Sequence, residues 1–148
     1  MKRIVAMAVV TAVIFATVGS AQEQTQAKVR FASLNVYVDS GDAMLAAYQF
    51  ELITLSGKVK IVGIEGGAHE AFARPPYYDP AALAKDRVIV AAYSTSAKLP
   101  RGRTRIARIH VQVTGDMAPD YEARLVTAAS AGGEKTAATI QVEQGDEK

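Results

Sequence analysis

In the run Tyr48-Gln49-Phe50-Glu51-Leu52, large apolar side chains alternate strictly with polar ones. A period of two gives a β-strand one dry face and one wet face. On a helix, Tyr48 and Phe50 would sit about 200° apart and form no common apolar stripe. Residues 54–57 read as a turn, and Lys58-Val59-Lys60-Ile61 opens a second alternating run. As a local unit, residues 44–64 predict an alternating hairpin with Tyr48, Phe50 and Leu52 in the core. In its second strand the inward set shifts from Val59 and Ile61 to Val62 and Ile64. That one-residue slip predicts a β-bulge near Val62, with Gly63 tolerating the bend.

The N-terminus carries a different pattern. Lys2 and Arg3 precede an uncharged, mostly apolar run over residues 4–18, and Gly19 and Ala21 are the small residues of a cleavage site before Gln22. This is the pattern of a secretory signal peptide over residues 1–21, and it predicts a secreted, periplasmic or cell-surface protein. The run is shorter than the roughly 20 residues of a membrane span, and no second apolar segment follows, so no membrane span is expected after cleavage. The chain has 17 basic and 15 acidic residues; losing Lys2 and Arg3 leaves the two balanced. Nucleic acid is therefore an unsuitable partner, on charge and on address. With no cysteine, thiol catalysis, thiolate metal sites and disulfides are excluded, and stability must come from burial and sheet hydrogen bonding.

Further strands follow at short intervals. Residues 22–27 form a polar leader before a strand within 28–38, where Ala32, Leu34, Val36 and Val38 share a face. Residues 39–42 are a turn. Residues 74–80, rich in proline, cannot form an interior strand or a helix, while Asp79-Pro80 suits the cap and first position of a short helical turn over 80–84. Residues 87–94 are apolar on both faces, as in a strand covered on two sides or one whose outer face meets a partner. In the run 104–114, Ala107, Ile109, Val111 and Val113 face one way, and Ile106, Arg108, His110 and Gln112 the other. Strands at 121–129 and 136–143 close a domain over residues 28–143, with a polar tail at 144–148. Seven to nine strands with regular turn signals predict an all-β, antiparallel two-sheet β-sandwich.

Candidate chemistry is sparse. His69 and His110 are the only histidines, and they lack metal-ligand spacing. No Gly-x-Ser-x-Gly elbow is present and nothing selects a carboxylate pair, so no enzyme is expected. Asp39, Asp42, Asp116 and Asp120 occupy turns, where calcium sites are often built, but turns also favour Asp for its own hydrogen bonds. Calcium is thus the one cofactor open to the chain, and none is required. Lys98, Arg101, Arg103, Arg105 and Arg108 form a basic cluster with no acid between Asp86 and Asp116, readable as a partner or anionic-glycan patch or as a solvated edge. Tyr77-Tyr78, beside Pro75-Pro76, could stack on a sugar ring or a protein surface, or fold back over the core. Tyr77, Tyr78, Lys98, Arg101, Arg103, Arg108 and His110 are the candidate partner-binding residues.

The order of these features resembles the cohesin family. Residues 45–52 resemble the cohesin strand in which a small residue precedes Tyr-x-Phe-x-Leu. Residues 61–66, ending Val-Gly-Ile-Glu-Gly, resemble the next strand, 87–94 its apolar strand before a loop, and 102–115 the strand ending Val-x-Val-x-Gly. The resemblance spans residues 29–142 and rests on order and spacing. It implies a jelly-roll-type sandwich that binds a protein partner through one sheet face, a dockerin module in cellulosome scaffolds. A second cohesin, a dockerin and a sugar-binding module are not found in the chain. The expected function is a non-enzymatic extracellular binding module for a protein partner; the alternative is a carbohydrate-binding sandwich recognising polysaccharide.

Overall fold

The computed structural model describes residues 26–145. The signal peptide expected over residues 1–21, most of the expected leader and residues 146–148 lie outside the described residues. Eight strands run in the order β1 (Val29–Asp39), β2 (Ala47–Thr54), β3 (Lys58–Gly66), β4 (Tyr77–Tyr78), β5 (Arg87–Tyr93), β6 (Arg103–Thr114), β7 (Tyr121–Ala129) and β8 (Thr139–Gln144). They form two four-stranded sheets, β3-β6-β1-β8 and β4-β5-β2-β7, with every pairing antiparallel. The predicted all-β sandwich is the observed architecture.

Period-two alternation builds the core directly. Leu34, Val36 and Val38 of β1, Tyr48, Phe50 and Leu52 of β2, Val88 and Val90 of β5, and Ile109, Val111 and Val113 of β6 meet between the sheets, each almost fully buried. Burying a side chain of this size stabilises the fold by about 1.5–3 kcal/mol. Tyr48 links the two layers. Its hydroxyl donates to the Ile106 carbonyl at 3.0 Å, and its ring meets Phe72 edge-on at 5.2 Å.

Residues 44–64 are not a hairpin. The turn at Gly57 carries the chain across the core, so β2 and β3 belong to different sheets. Both strands are half-buried, and antiparallel neighbours in sequence can satisfy that pattern across the core as well as side by side. The bulge near Val62 is present, since Ile61 pairs with Val111 and Gly63 with His110. Val62 is the extra residue, however, and it points outward at 45% exposure while Ile64 points inward. A second bulge escaped the alternation argument. Val36 pairs with Ala107 and Tyr37 with Arg105, which leaves Ile106 unpaired. Ile106 and Ala107 are consequently both buried, whereas simple alternation places Ile106 outside. The last strand begins at Thr139 rather than Thr136 and runs to Gln144.

The irregular connection between β3 and β5 folds as its capping residues dictate. His69 Nδ1 accepts from Ala71 N at 3.1 Å at the start of one 3-10 turn. Asp79 Oδ1 accepts from Ala81 N at 2.9 Å and caps a second at Pro80–Ala82, the helical turn expected near residues 80–84. Gly67 lies against the β6 bulge: a Cβ there would come within 2.3 Å of the Arg105 carbonyl oxygen.

Candidate functional site

The candidate residues divide between two opposite faces and one end of the sandwich. Tyr77 and Tyr78 form β4, a two-residue edge strand opposite Ala91 and Val90. Successive strand residues point to opposite sides, so the pair cannot act as one platform. Tyr78 packs on the core, while Tyr77 is 67% exposed. The partner that Tyr77 acquires is Tyr93 of β5, 66% exposed, with ring centroids 6.2 Å apart and planes within 6° of parallel. Ile89, two pairs along the same face of β5, is 48% exposed.

This face has relief. A hollow of about 580 Å³ lies on one side of Tyr77, bordered by Glu70, Arg74, Tyr93 and Ser96. Another, of about 660 Å³, lies on the other side over Gln49, Lys85, Arg87 and Ile89. Tyr77 lines both and stands as the ridge between them. Towards β7 the face turns charged, with Glu51 paired to Arg87 and Arg124 holding Glu122 through two hydrogen bonds of 2.8 and 2.9 Å. That fork lowers the Glu122 carboxyl below its ordinary value and raises the Arg124 guanidinium.

The basic residues lie elsewhere. Lys98 sits in the loop before β6 with Nζ 3.9 Å from Glu70 Oε1, beside the first hollow. Arg101 donates to the Asp42 carbonyl at 3.0 Å and pins the loops at one end. Arg103, Arg108 and His110 lie on β6, in the sheet opposite the tyrosines. Arg103 covers the Tyr37 ring at 3.6 Å and pairs with Glu143. His110 Nε2 is 3.1 Å from Glu65 Oε1 but outside hydrogen-bond alignment.

Among the described residues no group of three His, Asp or Glu side chains is arranged to hold a metal ion. The turn aspartates sit at opposite ends of β1: Asp39 at its C-terminal end beside Asp42, and Asp116 and Asp120 beyond Gly115, whose amide bonds to Lys28. Asp39 Oδ1 accepts from Gly41 N at 2.9 Å, and Asp120 accepts from the Ser56 hydroxyl at 3.1 Å. Both side chains do the hydrogen bonding that turns require of aspartate. No helix among the described residues is long and apolar enough to cross a membrane.

Tyr93 and Ile89 are absent from the candidate partner-binding residues, and Arg105 enters the sequence reading only as a member of the basic cluster. The signal for the first two was present in the apolar character of both faces of residues 87–94. Arg105 required the bulge, which no local pattern marks. Comparison with known protein families, with curated proteins and with solved structures gives no match. Fold and surface together define a two-sheet β-sandwich with an exposed aromatic face.

Proposed function

We propose that the protein is a secreted, non-enzymatic binding module of cohesin type, which holds an extracellular protein partner on the outer face of the β4-β5-β2-β7 sheet. The observation that carries this reading is the exposed apolar strip of Tyr77, Tyr93 and Ile89, set between two hollows. Tyrosine anchors beside pockets are what dominate the energetics of protein interfaces. Four strands and the seven residues of β5 offer about 450 Å² of sheet at ordinary strand spacings. The loops at residues 70–75 and 94–98 extend that area towards the roughly 800 Å² per partner of a specific complex. The order and spacing of sequence features that resemble cohesins accord with binding through a sheet face. Dockerin-type partners are one class that would fit.

The test is a pull-down from the native secretome with the wild-type chain and with Tyr77→Ala and Tyr93→Ala variants, run beside a panel of neutral polysaccharides. One partner retained by the wild type and weakened about 30-fold by either substitution is expected, equivalent to about 2 kcal/mol for an anchor residue. A neutral polysaccharide that binds instead, and is released by Tyr77→Ala, would assign the same face to carbohydrate. Binding that ignores both substitutions would sink the site.

A further inference from the structure

The outer face of the β3-β6-β1-β8 sheet carries an arrangement that partner binding on the tyrosine face does not use. Residues 105 and 108 are three apart, a spacing that puts side chains on opposite faces of a regular strand. The bulge at Ile106 cancels the offset, so Arg105 stands opposite Tyr37 and Arg108 opposite Asn35 on one face. Asn35 then draws them together: its Oδ1 accepts from Arg108 Nε at 3.0 Å and from Arg105 Nη1 at 3.3 Å. Two guanidinium groups converge on one neutral amide oxygen. Among the described residues neither has a carboxylate at ion-pair distance. Glu65, which faces Arg108 across the ladder, is turned to His110 instead.

With Glu65 turned to His110 and Glu143, opposite Asn35 on β8, taken by Arg103, the two like charges repel, and an oxyanion is the group that relieves them. A carboxylate or a sulfate can take parallel N–H···O bonds from the guanidinium fork. Next to Arg108 lies a cavity of about 390 Å³ walled by Phe31, Val62, Glu65 and His110, within the range of small-ligand sites. Phe31 is 56% exposed, open to the C–H face of a sugar. Asn35 and Phe31 are four residues apart, about 14 Å along a strand, longer than a single sugar ring. In the Phe31 row stands a further cation, exposed Lys60, reached through Gln112. Cations spaced along an aromatic strip suit a polymer with repeating negative charge.

We infer that the outer face of β1 and β6 binds an acidic polysaccharide, with Arg105 and Arg108 taking its carboxylate or sulfate groups and Phe31 stacking on a sugar ring. Because this face and the tyrosine face lie on opposite sides of the sandwich, a polysaccharide and a protein partner can be held together.

The test is affinity electrophoresis and calorimetric titration of the full chain with polygalacturonate, dextran sulfate, neutral dextran and polyglutamate. Binding to polygalacturonate or dextran sulfate is expected, and the stronger of the two names the oxyanion. Neutral dextran should not bind, polyglutamate should bind about tenfold more weakly or worse, and rising salt should weaken the complex. Arg105→Gln combined with Arg108→Gln should weaken binding about tenfold or more, and Asn35→Ala, with both arginines kept, about threefold or more. Phe31→Ala should weaken glycan binding and leave polyglutamate unchanged. Tyr77→Ala should leave every polyanion unchanged, which separates failure here from failure of the partner-binding reading. Retention of neither polyanionic glycan overturns the inference. So does polyglutamate binding as strong as either glycan, or full binding by an arginine double variant that melts like the wild type.

Discussion

Tyr48 shows how much one side chain can carry in this fold. Its ring is buried against Phe50 and Phe72, its hydroxyl spans the two sheets, and burial pushes its pKa far above the ordinary phenol value. The phenol must stay neutral in the folded protein, while in the unfolded chain it ionises near about pH 10. Above that pH the unfolded state binds fewer protons than the folded one, so stability falls as pH rises. Below about pH 10 the contribution is fully present. Urea unfolding between about pH 9 and 11 should show this decline. Tyr48→Phe should flatten the decline while lowering neutral-pH stability by about 1 kcal/mol through the lost hydrogen bond. A residual slope is expected from Tyr121, which is also raised by burial, an effect partly offset by Arg30. Gly67 gives a second residue-scale prediction. Gly67→Ala would drive a methyl into backbone of the β6 bulge and should destabilise by about 2–3 kcal/mol, read as a lowered urea midpoint with an unchanged m-value.

At the scale of strands, alternation was legible and interruptions to it were not. The cores of β1, β2 and β6 follow from their patterns, because each strand keeps one wet face. The bulge at Val62 was visible as a slip between two apolar pairs, with a glycine beside it. The bulge at Ile106 left no such trace, since Ile106 reads equally well as an isolated apolar residue on a polar face. Its buried state depends on the unpaired position opposite Val36 and Tyr37, a property of two strands rather than one. Ile106→Gln tests this directly. An outward residue would tolerate the change, whereas the observed packing predicts a loss of about 2–5 kcal/mol in thermal or denaturant unfolding. The candidate site was legible in the same partial way. Tyr77 was found, but Tyr78 turns inward, and Tyr93 joins Tyr77 only because β4 lies beside β5. The arginines of β6 read as one cluster with the tyrosines nearby in sequence, and the sandwich puts its whole thickness between them.

Across the whole molecule, β1, β2 and β3 share no ladder with one another: β1 pairs with β6 and β8, β2 with β5 and β7, and β3 with β6. Such distant pairing predicts single-exponential refolding in the millisecond-to-second range in stopped-flow urea dilution. A fragment ending at residue 76 should give a far-ultraviolet dichroism spectrum without strand character, since each of its strands has lost every partner. If the chain is exported, as proposed, the same wiring has a further meaning. A nascent polypeptide that has not yet reached β5 has no strand to zip against. It stays threadable through a narrow channel, and its structure becomes available only once the later strands have come through.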